Sequence, residues 1–173
     1  MRWAAVTAVS LFFGVLLFTF WKGFGRDPHA VPFMLKGQPA PAFSLKRLDT
    51  GEAVTLDQLK GKPLVLNFWA TWCGPCKLEH PVLNWAHQQY GNRVQFVGVV
   101  FEDTAFNARG FLAENGTAFT QVLDDQSHVS VDYGIAGVPE TYFIDSAGKI
   151  RDKFVGPLEP SSLVSELQLI VSP

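Results

Sequence analysis

The chain contains two cysteines, Cys73 and Cys76, which are separated by Gly74 and Pro75. A pair at this spacing can exchange a disulfide with a partner, hold a metal ion or close a short structural loop. The loop is a poor staple, because closing so few residues removes little entropy from the unfolded chain. No histidine forms a ligand pattern with the pair, which argues against a zinc site. The spacing therefore favours redox chemistry, with Cu(I) binding by the two thiolates as an alternative.

The segments on either side of the pair predict how it is held. Residues 64–69 form an apolar run with one amide, typical of a strand buried on both faces, and residues 77–90 have the apolar spacing of a helix. Cys73 would begin that helix, where free N–H groups and the helix dipole stabilise a thiolate, and Pro75 suits the first turn. Cys76 would lie one turn further in and be more buried. We therefore expect Cys73 to attack and Cys76 to resolve, the two forming the redox disulfide.

The rest of the globular domain, residues 38–173, has the pattern of an α/β protein. A second buried strand over 94–101 calls for a parallel pair joined by a helical crossover. Residues 141–144 and 149–155 predict a β-hairpin, and 161–171 a closing helix. Shorter elements are predicted at 43–45, 53–56, 57–61, 104–115, 121–123 and 127–133. We expect a mixed central sheet with helices on both faces.

The amino-terminal segment has a different character, because residues 4–21 contain no charged side chain. An apolar helix of about 18–20 residues can cross a bilayer, and Trp3 and Trp21 suit its two interfaces. The run is longer than the roughly 7–15 apolar residues of a signal peptide and lacks a small-residue cleavage site. We expect an uncleaved transmembrane anchor over residues 1–22 and a linker over 23–37. Basic residues on both sides of the run leave its orientation undecided.

The composition excludes some classes of function. The formal net charge is −2, so no basic field is available to hold a nucleic acid. Hydrophobic residues make up 47% of the chain and charged residues 17%, which is typical of a protein with a packed core. No motif indicates a bound cofactor or metal.

The residues around the cysteines resemble a known family. The stretch 68–76, FWATWCGPC, followed by Pro81, resembles thioredoxin, and so does the segment 137–139. In thioredoxin-like proteins the proline corresponding to Pro139 has a cis peptide bond and faces the cysteines. In combination, further stretches resemble the CcmG/DsbE thioredoxins of cytochrome c biogenesis, which are relatives of TlpA and ResA. These stretches are the uncharged run 4–21, 26–28, 37–43, 67–73, 79–80 and 134–141.

The resemblance implies a thioredoxin-like fold and further site residues. The buried acid that thioredoxin carries on the preceding strand is Asn67 here, whereas Glu79 and Glu140 occupy positions that belong to the active site of the resembled family. Helical spacing puts Glu79 beside Cys76, where it could take the proton of that thiol or suppress its ionisation. The residues expected to bind substrate and shape the site are Trp72, Gly74, Pro75, Val138, Pro139 and Glu140.

The function that the resemblance implies is that of a thiol:disulfide oxidoreductase outside the cytoplasm. Its client would be apocytochrome c before haem attachment, and a membrane electron donor of the DsbD/CcdA type would restore its dithiol. The expected location is the bacterial inner membrane, with the redox domain on the periplasmic side. The alternatives are a general periplasmic thiol reductase and a Cu(I) metallochaperone. A thiol peroxidase would need a Pro-x-x-x-Thr/Ser-x-x-Cys setting, which the sequence lacks.

Overall fold

The computed structural model describes residues 2–23 and 33–171. The chain divides into two compact units, residues 1–34 and 35–173. The first unit contains helix α1, Arg2–Gly23. Among the described residues, no helix combines the length and the apolar character that crossing a membrane requires. Most of the linker expected over 23–37 lies outside the described residues.

The second unit is built on a seven-stranded sheet. Its strands are β1 Ser44–Arg47, β2 Ala53–Thr55, β3 Leu64–Trp69, β4 Gln95–Phe101, β5 Thr120–Asp124, β6 Glu140–Ile144 and β7 Ile150–Val155. They lie in the order β2-β1-β5-β4-β3-β6-β7. β4 pairs in parallel with β3 and β5, whereas the pairs β1–β2, β1–β5, β3–β6 and β6–β7 are antiparallel. The predicted mixed sheet, with a parallel centre and a carboxyl-terminal hairpin, is confirmed.

The helices of this unit follow the predicted order. They are α2 Leu56–Leu59, α3 Gly74–Tyr90, α4 Ala105–Asn115, α5 His128–Asp132 and α6 Pro160–Val171. Helix α3 begins at Gly74, directly after Cys73, as predicted from the position of the cysteine pair. This start has a local cause, because the Cys73 side chain caps the helix and Pro75 fits its first turn.

One face of the sheet is covered by α3, α4 and α6. Val65 of β3 packs with buried side chains of α3 and α6. Trp69 projects from the same face of β3, since side chains alternate along a strand, and packs with Ala108 of α4. The residues that α3 and α6 contribute to the shared core are Leu83, Ala86, Leu163, Leu167 and Ile170.

The opposite face of the sheet carries an aromatic cluster next to α5. The ring of Phe68 lies 5.5 Å from that of Tyr133, the residue that ends α5, and Tyr133 lies 5.1 Å from Tyr142 of β6. The Tyr142 hydroxyl donates a hydrogen bond to the Tyr133 carbonyl oxygen. Helices therefore contact both faces of the sheet, as predicted. The central strand β3 is buried along its whole length and delivers the chain to the cysteines.

Gly98 of β4 is paired with Gln121 of β5, whose buried side chain lies against the glycine. A Cβ atom at Gly98 would overlap Gln121 Oε1, which accepts a hydrogen bond from the Trp69 indole N–H at 2.9 Å. We expect Gly98→Ala to displace this amide and lower the free energy of unfolding by about 1–3 kcal/mol. Urea unfolding of the full chain measures the change. Gly110→Ala in α4, where the added methyl group meets nothing within 4 Å, is the control and should stabilise by up to about 1 kcal/mol. Equal stability of Gly98→Ala and the parent would contradict this packing.

Candidate active site

The two cysteines lie at the junction between β3 and α3 and are joined by a disulfide, with their Cα atoms 5.3 Å apart. A turn follows β3 and is closed by a hydrogen bond from the Cys73 N–H to the Ala70 carbonyl oxygen at 3.3 Å. Cys73 then caps α3, and its Sγ accepts the Cys76 N–H at 3.1 Å. The sulfur of Cys73 therefore sits where the helix dipole and a free N–H stabilise negative charge.

Burial alone does not select the attacking sulfur. Cys76 was expected to be more buried than Cys73, but the difference is small, because Cys73 is 4% exposed and Cys76 3%. Both residues belong to one apolar cluster with Trp69 and Val100, which covers them alike. The cysteines differ in their hydrogen bonds, because Cys73 Sγ accepts the Cys76 N–H at the amino end of α3.

The loop before β6 lies directly against Cys73. The Val138 carbonyl oxygen is 3.5 Å from Cys73 Sγ, and the Val138–Pro139 peptide bond is cis, as the resemblance implies. Glu140 follows the proline and is 2% exposed. Its carboxylate pairs with Lys153 of β7 at 3.1 Å and accepts the Ala136 N–H at 3.4 Å. Glu140 therefore ties the proline loop to the edge of the sheet.

Glu79 is a buried acid, although its position on a helix also allowed a solvated surface residue. It is 1% exposed. Its Oε1 accepts a hydrogen bond from the Asn67 side-chain amide at 2.7 Å, and its Oε2 accepts the Leu158 N–H at 3.0 Å. The Asn67 amide also donates to the Thr141 hydroxyl at 2.9 Å, two residues after Pro139. The structure thus links the helix that carries the cysteines to the strand that follows the proline loop.

The surroundings of Glu79 adjust its affinity for a proton. Burial raises the pKa of Glu79 to about 7, although the hydrogen bonds from Leu158 and Asn67 act in the opposite direction. A carboxyl group with a pKa near neutrality can both accept and release a proton under physiological conditions. Because Glu79 follows Cys76 by three helical positions, its Cβ lies on the same face of α3.

Of the expected substrate-binding residues, Trp72, Gly74 and Pro75 form an exposed rim around the disulfide, whereas Pro139 and Glu140 are buried. Gly74 and Pro75 are exposed at the start of α3. Trp72 is 58% exposed, and its indole N–H donates to the Glu102 carbonyl oxygen at 3.0 Å. Trp69, by contrast, is 3% exposed and belongs to the core. Within the described part of the chain, no three His, Cys, Asp or Glu side chains are grouped so as to hold a metal ion.

Several residues that support the site escaped the sequence prediction. Thr141 and the Leu158 N–H contact the Asn67–Glu79 pair from positions far away in the sequence. Asp103 accepts the Thr71 N–H, two residues before the first cysteine, at 2.7 Å. The only sequence signal for Asp103 is its place just after a buried strand. Nothing in the sequence marks Leu158, because its backbone makes the contact.

Comparison with known proteins places this arrangement among thiol-exchanging proteins. The profile of the Redoxin family matches residues 35–168. The thiol:disulfide interchange protein DsbE of Pseudomonas fluorescens biotype C is 36% identical over 159 residues, which covers 91% of this chain and 87% of that protein. The thiol:disulfide interchange protein HelX of Rhodobacter capsulatus is 38% identical over 149 residues, covering 85% and 83%.

A solved structure extends the likeness to three dimensions. The crystal structure of a thiol:disulfide interchange protein of the thioredoxin family from Chlorobium tepidum TLS matches with a TM-score of 0.70 and 26% identity. The match covers 79% of this chain and 98% of that one. The expected thioredoxin-like fold is therefore confirmed.

The raised pKa of Glu79 predicts a specific dependence of stability on pH. Its ordinary value is 4.5 and its value in the folded protein is about 7, so between these values the folded state holds a proton that the unfolded state has lost. The contribution of Glu79 to the free energy of unfolding is therefore full below about pH 4.5 and falls by about 3 kcal/mol as the pH rises to about 7. Glu79→Gln should lack this decrease.

Urea unfolding of the oxidised full chain at several pH values measures the effect as the difference between parent and variant. Glu114→Gln, which changes an exposed acid on α4, is the matched control and should track the parent. A difference between parent and Glu79→Gln that stays constant from about pH 4.5 to about pH 8 would contradict the pKa assigned to Glu79.

Proposed function

Because this chain belongs to the Redoxin family, we propose that it reduces disulfides in proteins outside the cytoplasm and that its client is apocytochrome c. The chain is a thiol–disulfide oxidoreductase, as its relatives DsbE and HelX are thiol:disulfide interchange proteins. The observation that carries the proposal is the Cys73–Cys76 disulfide at the amino end of α3, with Cys73 Sγ beside the Val138 carbonyl oxygen. The choice of client rests on the resemblance of the motifs around this pair to the cytochrome c biogenesis thioredoxins.

The proposed reaction begins with the reduced pair. The Cys73 thiolate attacks one sulfur of the client disulfide, the client S–S bond breaks, and its other sulfur leaves as a thiolate that takes up a proton. The Cys76 thiol then loses its proton and attacks the Cys73 sulfur, which releases the second client thiol. The client gains two electrons and two protons, and the oxidoreductase is left with the Cys73–Cys76 disulfide present in the structure.

Glu79 is proposed to receive the proton of Cys76 in the second step. Three features support this role: Glu79 lies one helical turn after Cys76, it is buried, and burial raises its pKa to about 7. A general acid or base works best when its pKa lies near the operating pH. The Asn67 amide fixes the carboxylate at 2.7 Å without competing for the proton, because an amide is neutral.

The client is proposed to bind along the proline loop and the rim around the cysteines. An extended peptide can pair with the Val138 backbone in the manner of an added strand. The exposed residues next to the disulfide are proposed to make the other contacts with the client. The residues proposed to shape it are Trp72, Gly74, Pro75, Pro139 and Glu140, the last acting through its hold on the loop.

Residues 1–22 are proposed to anchor the protein in the bacterial inner membrane, with residues 23–37 as linker and the redox domain, 38–173, in the periplasm. The proposal rests on the sequence, because residues 4–21 contain no charged side chain. Large apolar side chains on helix α1, such as Leu11 at 71% and Leu17 at 65%, are exposed and would be buried by lipid. A membrane electron donor of the DsbD/CcdA type would then return electrons to the disulfide.

Cysteine substitutions test the assigned order of attack. We expect Cys76→Ser to accumulate mixed disulfides with client proteins, because the Cys73 thiolate still attacks but nothing resolves the product. Cys73→Ser is the matched control and should trap few or none. Non-reducing electrophoresis followed by mass spectrometry identifies the trapped partners. Trapping by Cys73→Ser but not by Cys76→Ser would reverse the roles.

A deletion strain tests the client and the anchor together. We expect cells that lack the protein to lose covalent haem in their c-type cytochromes and to recover it when a thiol is added to the medium. The full chain should restore the haem stain and remain in the membrane fraction, whereas a chain with a cleavable secretion signal in place of residues 1–22 should appear in the periplasm. Normal haem staining in the deletion strain would exclude apocytochrome c as an essential client.

A further inference from the structure

We propose that Asp103 is a positioning residue for the reaction of Cys73, acting through the turn that carries this cysteine. The inference rests on the proposed function, because it assigns a consequence to Cys73 as the attacking group. Asp103 lies in the loop between β4 and α4 and was not among the predicted site residues. Its carboxylate connects this loop with the residues that immediately precede the disulfide.

The contacts of Asp103 divide evenly between two segments. Asp103 Oδ2 accepts the Thr71 N–H at 2.7 Å and also accepts the Thr71 hydroxyl. Asp103 Oδ1 accepts the Thr104 N–H at 2.7 Å and the Asn107 side-chain amide at 2.9 Å. One carboxylate therefore joins the turn before Cys73 to the first turn of α4.

Thr71 is well placed to pass this restraint to the sulfur. It is the second residue of the turn that the Cys73 N–H closes onto the Ala70 carbonyl oxygen. The Thr71 N–H points out of this turn to the Asp103 carboxylate, so the orientation of the turn is fixed from outside. Cys73 is the last residue of this turn and must keep its capping geometry for Sγ to accept the Cys76 N–H.

Two further contacts hold the same segments together. The Trp72 indole N–H donates to the Glu102 carbonyl oxygen at 3.0 Å, on the residue before Asp103. Ala105 packs against the apolar cluster that contains both cysteines. Partial burial by itself would raise the pKa of Asp103, but the hydrogen bonds from Thr71 and Asn107 outweigh it and lower the pKa. Asp103 therefore stays ionised and keeps all four donors in place.

The chemical consequence concerns the Cys73 thiolate. If the turn is released, the Cys76 N–H meets Cys73 Sγ in a smaller fraction of the molecules, and the thiolate loses part of the stabilisation that the helix end provides. The attack on a disulfide then slows, both because less thiolate is present and because the sulfur is less well oriented.

The test measures the alkylation of Cys73 by iodoacetamide in the reduced full chain as a function of pH, with mass spectrometry to assign the modified cysteine. Asp103→Asn places an amide N–H₂ against two of the donors that the carboxylate now accepts from. We expect this variant to have a higher midpoint of the Cys73 titration. We also expect its alkylation below that midpoint to be about three- to tenfold slower. Thr71→Val keeps the Asp103 charge and the Thr71 N–H contact, so we expect a change in the same direction of about twofold. Asp125→Asn alters an exposed acid on another loop and should match the parent.

The two variants separate positioning from the other roles of a carboxylate. A lower midpoint in Asp103→Asn with no change in Thr71→Val would mean that Asp103 acts through its charge, which overturns the proposal. Unchanged alkylation profiles combined with a lower free energy of unfolding would mean a purely structural role, which also overturns it. A parent protein whose reduced Cys73 fails to exchange with any disulfide would instead contradict the proposed function.

Discussion

The hydrogen bond from the Cys76 N–H to Cys73 Sγ sets the geometry of the candidate active site. It requires Cys73 to stand at the N-cap of a helix, with a backbone that is still extended, while Cys76 already lies within the first turn. Cys73 Sγ therefore accepts a backbone N–H at the amino end of the helix, and this contact distinguishes two residues of nearly equal burial. The buried strand β3 supplies the rigid support, because it is paired on both sides and ends just before the turn.

A second constraint follows from burying an acid on the helix that carries the cysteines. A carboxylate in an apolar interior is unstable unless donors meet both of its oxygens. Glu79 satisfies this condition with one side-chain amide and one backbone N–H, from Asn67 and Leu158. The donors are neutral, so the charged form is supported without a salt bridge and the pKa remains high enough for proton exchange. An arginine or lysine in place of Asn67 would favour the carboxylate and remove this property.

Carboxylates add to the apolar packing that holds the loops around the disulfide. Glu140 anchors the proline loop through Lys153, and Asp103 anchors the turn before Cys73 through Thr71. Such loops must leave room for a partner polypeptide, which limits how far apolar side chains can cover them. Hydrogen bonds from the flanks hold them while Trp72, Gly74 and Pro75 beside the disulfide stay exposed.

Local patterns in the sequence were sufficient for the elements of the fold and for the redox pair. The apolar run of β3, the helical spacing of α3 and the Cys-Gly-Pro-Cys motif are each contained in a few consecutive residues, and they predicted the strand–turn–helix junction. Cys73 at the start of α3 and Pro75 in its first turn were predicted from the same few residues and are confirmed. The burial of Glu79, the link from Asn67 to Thr141 and the contact of Asp103 with Thr71 arise from long-range packing. These contacts depend on how strands distant in the sequence pair and on which helix face the sheet covers, and no local pattern of residue types specifies them.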